Sequence, residues 1–303
     1  MSIRPIKRIV EAKPTIEGAG VKLRRAFGFG NTHEFDPFLL FDDFRNESPE
    51  DFLAGFPWHP HRGIETITYV LAGSVAHGDS LGNKGEMGPG DVQWMTAGSG
   101  ILHQEMPKGN PRGRMHGFQL WANLPSSLKM TDPRYQDIPA RDIPEVTDDD
   151  GTRVRVVCGD FWGKTGPVQG VAADPRYLDV WVPPHKRKTL PVETTRHAFA
   201  YVFEGSGTFR DASQPLAPQT ELVGTPAAGG EGGGETGNRS LVLFDRGDEV
   251  TVQAGDQGIR FLLVSGKPIE EPVAWYGPIV MNTPEQLRQA YEELQDGTFI
   301  KKR

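Results

Sequence analysis

Glycine and proline, 37 and 25 of the 303 residues, interrupt this chain so often that few segments are long enough to form a stable helix. Such punctuation suits many short strands joined by turns and argues against a helical bundle. Between the breaks lie apolar, β-branched or aromatic runs: Phe38 to Asp43, Ile64 to Val75, Val92 to Met95 and Phe118 to Leu124. Each reads as a strand, with Gly55, Gly73, Gly78, the Gly88-Pro89-Gly90-Asp91 turn and the Ala97-Gly98-Ser99-Gly100 turn between or after them. The expected class is all-β.

The style repeats after a polar, proline-broken stretch from Pro125 to Pro144. Tyr177 to Val182 alternates, Ala198 to Phe203 runs apolar into Glu204-Gly205-Ser206-Gly207, and Arg260 to Val264 is apolar again. A chain of this length exceeds the usual single core, so two units are expected, residues 1–135 and 140–303, the second a further barrel. Residues 225–238 (TPAAGGEGGGETGN) lack large apolar side chains and cannot bury enough surface to offset their ordering entropy, which predicts a mobile loop. Thr283-Pro284 has the signature of a helix start, and Leu287, Ala290, Tyr291 and Leu294 then make one apolar face, predicting a helix over about 284–296 packed on a barrel wall.

A formal charge of −7 leaves no electrostatic footprint for nucleic acid. The single cysteine, Cys158, excludes an intrachain disulfide framework and reads as a small buried hydrophobe. No long apolar run predicts membrane insertion or secretion, so a cytoplasmic monomer is expected.

Chemistry concentrates in two short segments. In an extended His59-Pro60-His61 both imidazoles project to one face, and Pro60, with its fixed φ, fits an extended chain. His103-Gln104-Glu105 repeats the geometry with an imidazole and a carboxylate, so four ligands can converge. Three imidazoles and a carboxylate, with no thiolate, suit a divalent transition ion: iron, manganese, nickel, copper, zinc or cobalt. On an octahedral ion this set leaves two positions for a substrate oxygen and dioxygen, a catalytic layout. Glu65, four residues beyond His61, would share the face of His59 and His61 in a continuous strand and is an alternative carboxylate. His116 is a candidate for a supporting hydrogen bond. His33, His77, His185 and His197 lack a ligand-spaced partner and read as surface or satisfied polar residues.

The segments Phe41-Asp42-Asp43-Phe44, Phe56 through Tyr69 (FPWHPHRGIETITY), Gly90 through Pro107 (GDVQWMTAGSGILHQEMP), Gln119 through Pro125 (QLWANLP) and Gly277 through Thr283 (GPIVMNT) resemble the pirin family. The likeness is weakest over about 194–260, where the glycine-rich stretch reads as an insertion. The resemblance implies a bicupin: two stacked cupin-type β-barrels with a C-terminal helix, metal only in the first. It implies Fe(II) as the usual ion, held by residues matching His59, His61, His103 and Glu105, and so favours Glu105 over Glu65. It further implies a quercetin 2,3-dioxygenase activity, with a flavonoid and O2 as substrates and Glu105 as the base for the flavonol 3-hydroxyl. Phe41, Phe56, Trp58 and Met106 are candidates to line a flat aromatic pocket. The competing implication is a non-enzymatic protein whose metal redox state governs binding to a transcription regulator or metabolic enzyme.

Overall fold

The computed structural model describes residues 2–210 and 234–301. Most of the loop expected at 225–238 lies outside the described residues; within its last five, Thr236–Gly237 forms a short strand on Ser206–Gly207. The first twelve strands are β1 (Ile6–Glu11), β2 (Lys13–Glu17), β3 (Val21–Phe27), β4 (Phe38–Asp43), β5 (Phe56–His61), β6 (Ile64–Ala72), β7 (Ser74–Asp79), β8 (Lys84–Met87), β9 (Val92–Thr96), β10 (Ile101–Lys108), β11 (His116–Asn123) and β12 (Arg134–Ile138).

The first barrel consists of a seven-stranded sheet, ordered β12-β9-β6-β11-β4-β3-β2, and a four-stranded sheet, β5-β10-β7-β8. Period-2 alternation decides what each strand offers to which side. On β6, Thr68 lines the barrel's own cavity. Ile67 and Tyr69 turn the other way, into a core shared with the second barrel. Phe41, Trp94, Phe118 and Leu120 join them there, against Tyr177, Phe199, Tyr201, Leu262 and Val264. Each such buried side chain contributes roughly 1.5–3 kcal/mol of transfer free energy, so the barrels are held together by a true core. Polar groups complete the seam: Tyr69 Oη donates to Asp179 at 2.7 Å, and Tyr201 Oη to Asp43 at 2.9 Å.

The second barrel is built on a nine-stranded sheet whose interior is filled by side chains such as Val154, Val180, Val250, Phe261 and Leu263. Both chain ends cross between barrels. β1, at the N-terminus, pairs with Ser240–Phe244 of the second barrel's sheet. In return the C-terminal segment lies on the first barrel: a small hairpin, Ala274–Tyr276 with Ile279–Met281, and a helix, Pro284–Gln295. The Thr283 side chain accepts from the Gln286 N–H and the Gln286 side chain answers the Thr283 N–H, a capping box that explains the sharp helix start. Leu287, Ala290, Tyr291 and Leu294 form the packed face, with Ile279, Met281 and Phe299.

Candidate metal centre

Two prolines in six residues confine β5 to a sheet edge, since neither can donate to a ladder. Among the described residues its one neighbour is β10, in a register that sets His103 opposite His59 and Ile101 opposite His61. Cross-strand partners share a face, so His59, His61 and His103 all point the same way. Their ring centroids are 4.3 Å (His59 to His103), 4.8 Å (His59 to His61) and 5.0 Å (His61 to His103) apart. One nitrogen from each lies within 4.8 Å of the other two.

Hydrogen bonding sets the tautomers. His59 Nδ1 donates to the Pro57 carbonyl at 2.8 Å, and His61 Nδ1 donates to the Pro278 carbonyl at 3.1 Å. A carbonyl only accepts, so both protons sit on Nδ1 and both Nε2 atoms carry lone pairs. Those two Nε2 atoms face each other at 3.1 Å. Neither nitrogen of His103, 1% exposed, has a partner among the described residues. Desolvation lowers the pKa of all three imidazoles, and their mutual proximity lowers His61 and His103 further, so the cluster is neutral. Three converging, unprotonated nitrogens that repel one another are matched by a cation between them. The donor set therefore fits a divalent transition ion.

Glu105 follows His103 on the inward face of β10 but does not join the three-nitrogen group; its Oε1 accepts from the Thr68 hydroxyl at 3.1 Å. Burial pushes its carboxyl up to about 7, against the pull of that hydrogen bond. Glu65 is elsewhere. The strand expected to carry it beside His61 is broken by a turn at Arg62-Gly63, Gly63 taking φ +77°, so Glu65 lies on a new strand that opens at Ile64 and faces away from the histidines. There its Oε1 accepts from Thr96 at 2.7 Å. His116 lies at the barrel seam against Phe118 and Phe203, where burial lowers its pKa to about 3. His77 is not a surface residue: it is buried, opposite Glu105 on β7, with its ring over Tyr135 and Nδ1 unpartnered among the described residues. Cys158 is buried and free, its thiol pushed up to about 12 by desolvation.

His59, His61 and Glu105 open on a cavity of about 470 Å³ inside the first barrel, which His103 does not line. Phe56 and Trp58 line it, as do Val21, Leu23, Phe44 and Trp121; Phe41 does not, because alternation on β4 turns it to the seam, and Met106 does not either. Sequence reasoning missed Phe29, Trp121 and Pro278. Trp121 meets His61 edge-on at 5.0 Å, and beyond it Trp275 stacks on Phe29 at 3.9 Å. Only the alternation of β11 was available to suggest Trp121, and nothing local links Pro278 to His61.

A barrel pair with histidines converging in one barrel and a packed interior in the other defines a two-domain cupin with a candidate metal site in its first domain. The family model for pirin matches residues 20–122, and that for the pirin C-terminal cupin domain matches residues 177–300. The chain belongs to the pirin family. It is 43% identical over 301 residues to a pirin-like protein of Caulobacter vibrioides, covering 99% of this chain and 100% of that one. It is 38% identical to human pirin, over 95% of this chain and 91% of the relative. A crystal structure of quercetin 2,3-dioxygenase from Acinetobacter baumannii superposes with a TM-score of 0.83 at 30% identity, covering 98% of both chains.

Proposed function

We propose that this protein is a metal-dependent dioxygenase of the pirin type, cleaving a flavonol such as quercetin with O2. The observation that carries the reading is the convergence of three neutral imidazoles, two of which, His59 and His61, stand on the wall of an apolar, aromatic-lined cavity of about 470 Å³. That volume falls within the range of roughly 300–1,000 Å³ usual for small-molecule sites. The name of the Acinetobacter baumannii enzyme, similar over nearly the whole chain, supports the same activity.

In this reading His59, His61 and His103 would hold one divalent ion, Fe(II), with Glu105 as the fourth ligand. Mn, Ni, Cu, Zn and Co suit the same donors, and availability selects among them. When bound, such an ion lowers the pKa of a coordinated hydroxyl and orients the reactants around it. Glu105 would take the proton of the flavonol 3-hydroxyl. Phe56, Trp58 and Trp121 offer ring faces and edges to a planar substrate, while Val21 and Leu23 exclude water. The ring then opens with incorporation of O2 and release of carbon monoxide.

The test is spectrophotometric. Protein loaded with Fe(II) is mixed aerobically with quercetin and the flavonol absorption followed; it should fade, and should persist with His59→Ala. Fading no faster than the metal-free blank would sink the enzyme reading in favour of metal-dependent binding to a protein partner.

A further inference from the structure

Strand alternation sends Val21, Leu23 and Arg25 of β3 to the cavity, and with them Leu40 and Asp42 of β4 and Phe44 just beyond its end. Four of these six positions are apolar; the other two, Arg25 and Asp42, are charged and directly opposed. Arg25 Nε and Nη2 donate to Asp42 Oδ1 and Oδ2 at 2.8 and 2.7 Å, and Arg25 Nη1 pairs with Glu17 Oε1 at 2.9 Å. The Asp42 side chain is 6% exposed. A buried ion pair is a poor source of stability, since apolar side chains of similar volume often serve as well or better. Its place in the wall of a cavity points to another role.

The adjacent carboxylate makes the contrast. Asp43, turned by the same alternation to the seam, accepts from the Arg45 backbone N–H, the Arg45 guanidinium and the Tyr201 hydroxyl, so three groups tie it into the structure. Asp42 accepts from Arg25 alone among the described residues. Burial pushes its carboxyl up to about 6 against the pull of Arg25, which leaves it ionised at neutral pH. An ionised carboxylate offers about four acceptor sites; the Arg25 fork fills two, and the others are left for whatever occupies the cavity that Asp42 lines. None of the pair's hydrogen bonds involves a candidate metal ligand, so the arrangement does not turn on the state of the centre.

We infer that Asp42 is a specificity-determining residue of this cavity, its carboxylate accepting a hydrogen bond from a phenolic hydroxyl at the end of the ligand remote from the histidines. Arg25 is the positioning residue that fixes the carboxylate. The inference rests on the proposed function, in which the cavity takes a planar, hydroxylated aromatic. β4 belongs to the seven-stranded sheet and His59 and His61 to the four-stranded one. Sheets packed face to face stand roughly 10 Å apart, a span that a three-ring phenol bridges. A site that pairs with a hydroxyl disfavours the analogue lacking it, whereas a purely apolar wall discriminates weakly.

The experiment uses the full chain loaded with Zn(II), which supports no redox turnover, and reads quenching of tryptophan fluorescence, Trp58 and Trp121 being in the cavity wall. The probes are 3-hydroxyflavone and 3-hydroxyflavones bearing one further hydroxyl on the fused or the pendant ring. In the unmodified protein at least one added hydroxyl should tighten binding about tenfold, as a hydrogen bond to a charged acceptor does. In the double variant Arg25→Met with Asp42→Leu, which removes both charges together, that gain should vanish while 3-hydroxyflavone stays within about twofold. Asp42→Asn keeps an acceptor without the charge and should lose most of the gain; it decides the matter if far-UV circular dichroism shows the double variant unfolded. No gain from any added hydroxyl in the unmodified protein, a gain that survives in the variants, or equal weakening of every probe overturns the inference and leaves the cavity reading standing. Failure of every probe to bind the unmodified protein overturns the cavity reading as well.

Discussion

His61 Nδ1 lies 3.1 Å from the carbonyl oxygen of Pro278, a residue 217 positions later in the chain. The tautomer of a candidate ligand in the first barrel is thus set by backbone that arrives only after the second barrel is complete. Two buried basic side chains hold that backbone in place. Lys129 Nζ donates to the carbonyls of Gly63 and Val280 and to Asn123 Oδ1, at 2.8, 3.0 and 2.5 Å. Arg62, 2% exposed, donates to the carbonyls of Ser99 and Phe299 and pairs with Glu293 on the C-terminal helix at 2.7 Å.

Displacing the hairpin should therefore weaken the site without touching a ligand. A Cβ at Gly63 would stand 1.9 Å from the Val280 carbonyl oxygen, in a backbone conformation of φ +77°. Gly63→Ala is expected to push Ile279–Met281 outward, carrying Pro278 away from His61. Lost outer hydrogen bonds to ligating histidines typically cost 10–100-fold in affinity, so calorimetric titration with Zn(II) should show a loss of about tenfold or more. Unchanged affinity in a variant with unchanged far-UV circular dichroism would show that the carbonyl is dispensable.

The Arg62 to Glu293 pair should be worth more than a surface pair, because one partner is buried. Glu293→Gln is expected to cost about 2–3 kcal/mol at neutral pH by chemical denaturation. Desolvation pushes the Glu293 carboxyl up, but hydrogen bonds from Lys301, Arg62 and Gln289 outweigh it and hold it at about 2. A depressed carboxyl stabilises fully above its unfolded value of 4.5 and loses that contribution as pH falls from there toward 2. The gap between variant and unmodified protein should accordingly narrow below pH 4.5; a constant gap would place the effect in packing.

Glu105 carries the opposite sign. Its carboxyl is pushed up from 4.5 to about 7, so its charge opposes folding increasingly across that interval and fully above it. In metal-free protein at pH 8, Glu105→Gln should raise stability by up to about 3 kcal/mol. At pH 4 it should make little difference. The same variant should gain less from added metal than the unmodified protein, and an equal gain would remove Glu105 from the ligand set.

Among the histidines, His103→Ala and His59→Ala should each abolish stoichiometric metal content by elemental analysis, whereas Glu65→Gln should leave it intact. Glu65 faces Thr96 at the back of the sheet. Metal loss in Glu65→Gln, with the fold preserved, would contradict that separation.

Short-range pattern was enough for much of this molecule. Dense glycine and proline between apolar runs meant strands, Thr283-Pro284 marked the helix start, and the His-x-His and His-x-Glu spacings put their side chains on one face, because strand alternation and capping are local. The same logic failed at Glu65, where a two-residue turn at Arg62-Gly63 reset the alternation, and at Phe41, whose buried face turned out to be the seam and not the cavity. Strand pairing across the barrel set His103 beside His59, and docking of the C-terminal hairpin brought Pro278 to His61. Those relationships join residues tens to hundreds of positions apart, and no local preference of the chain encodes them; they exist only once two sheets close on one another and the C-terminal segment docks on the barrel it did not build.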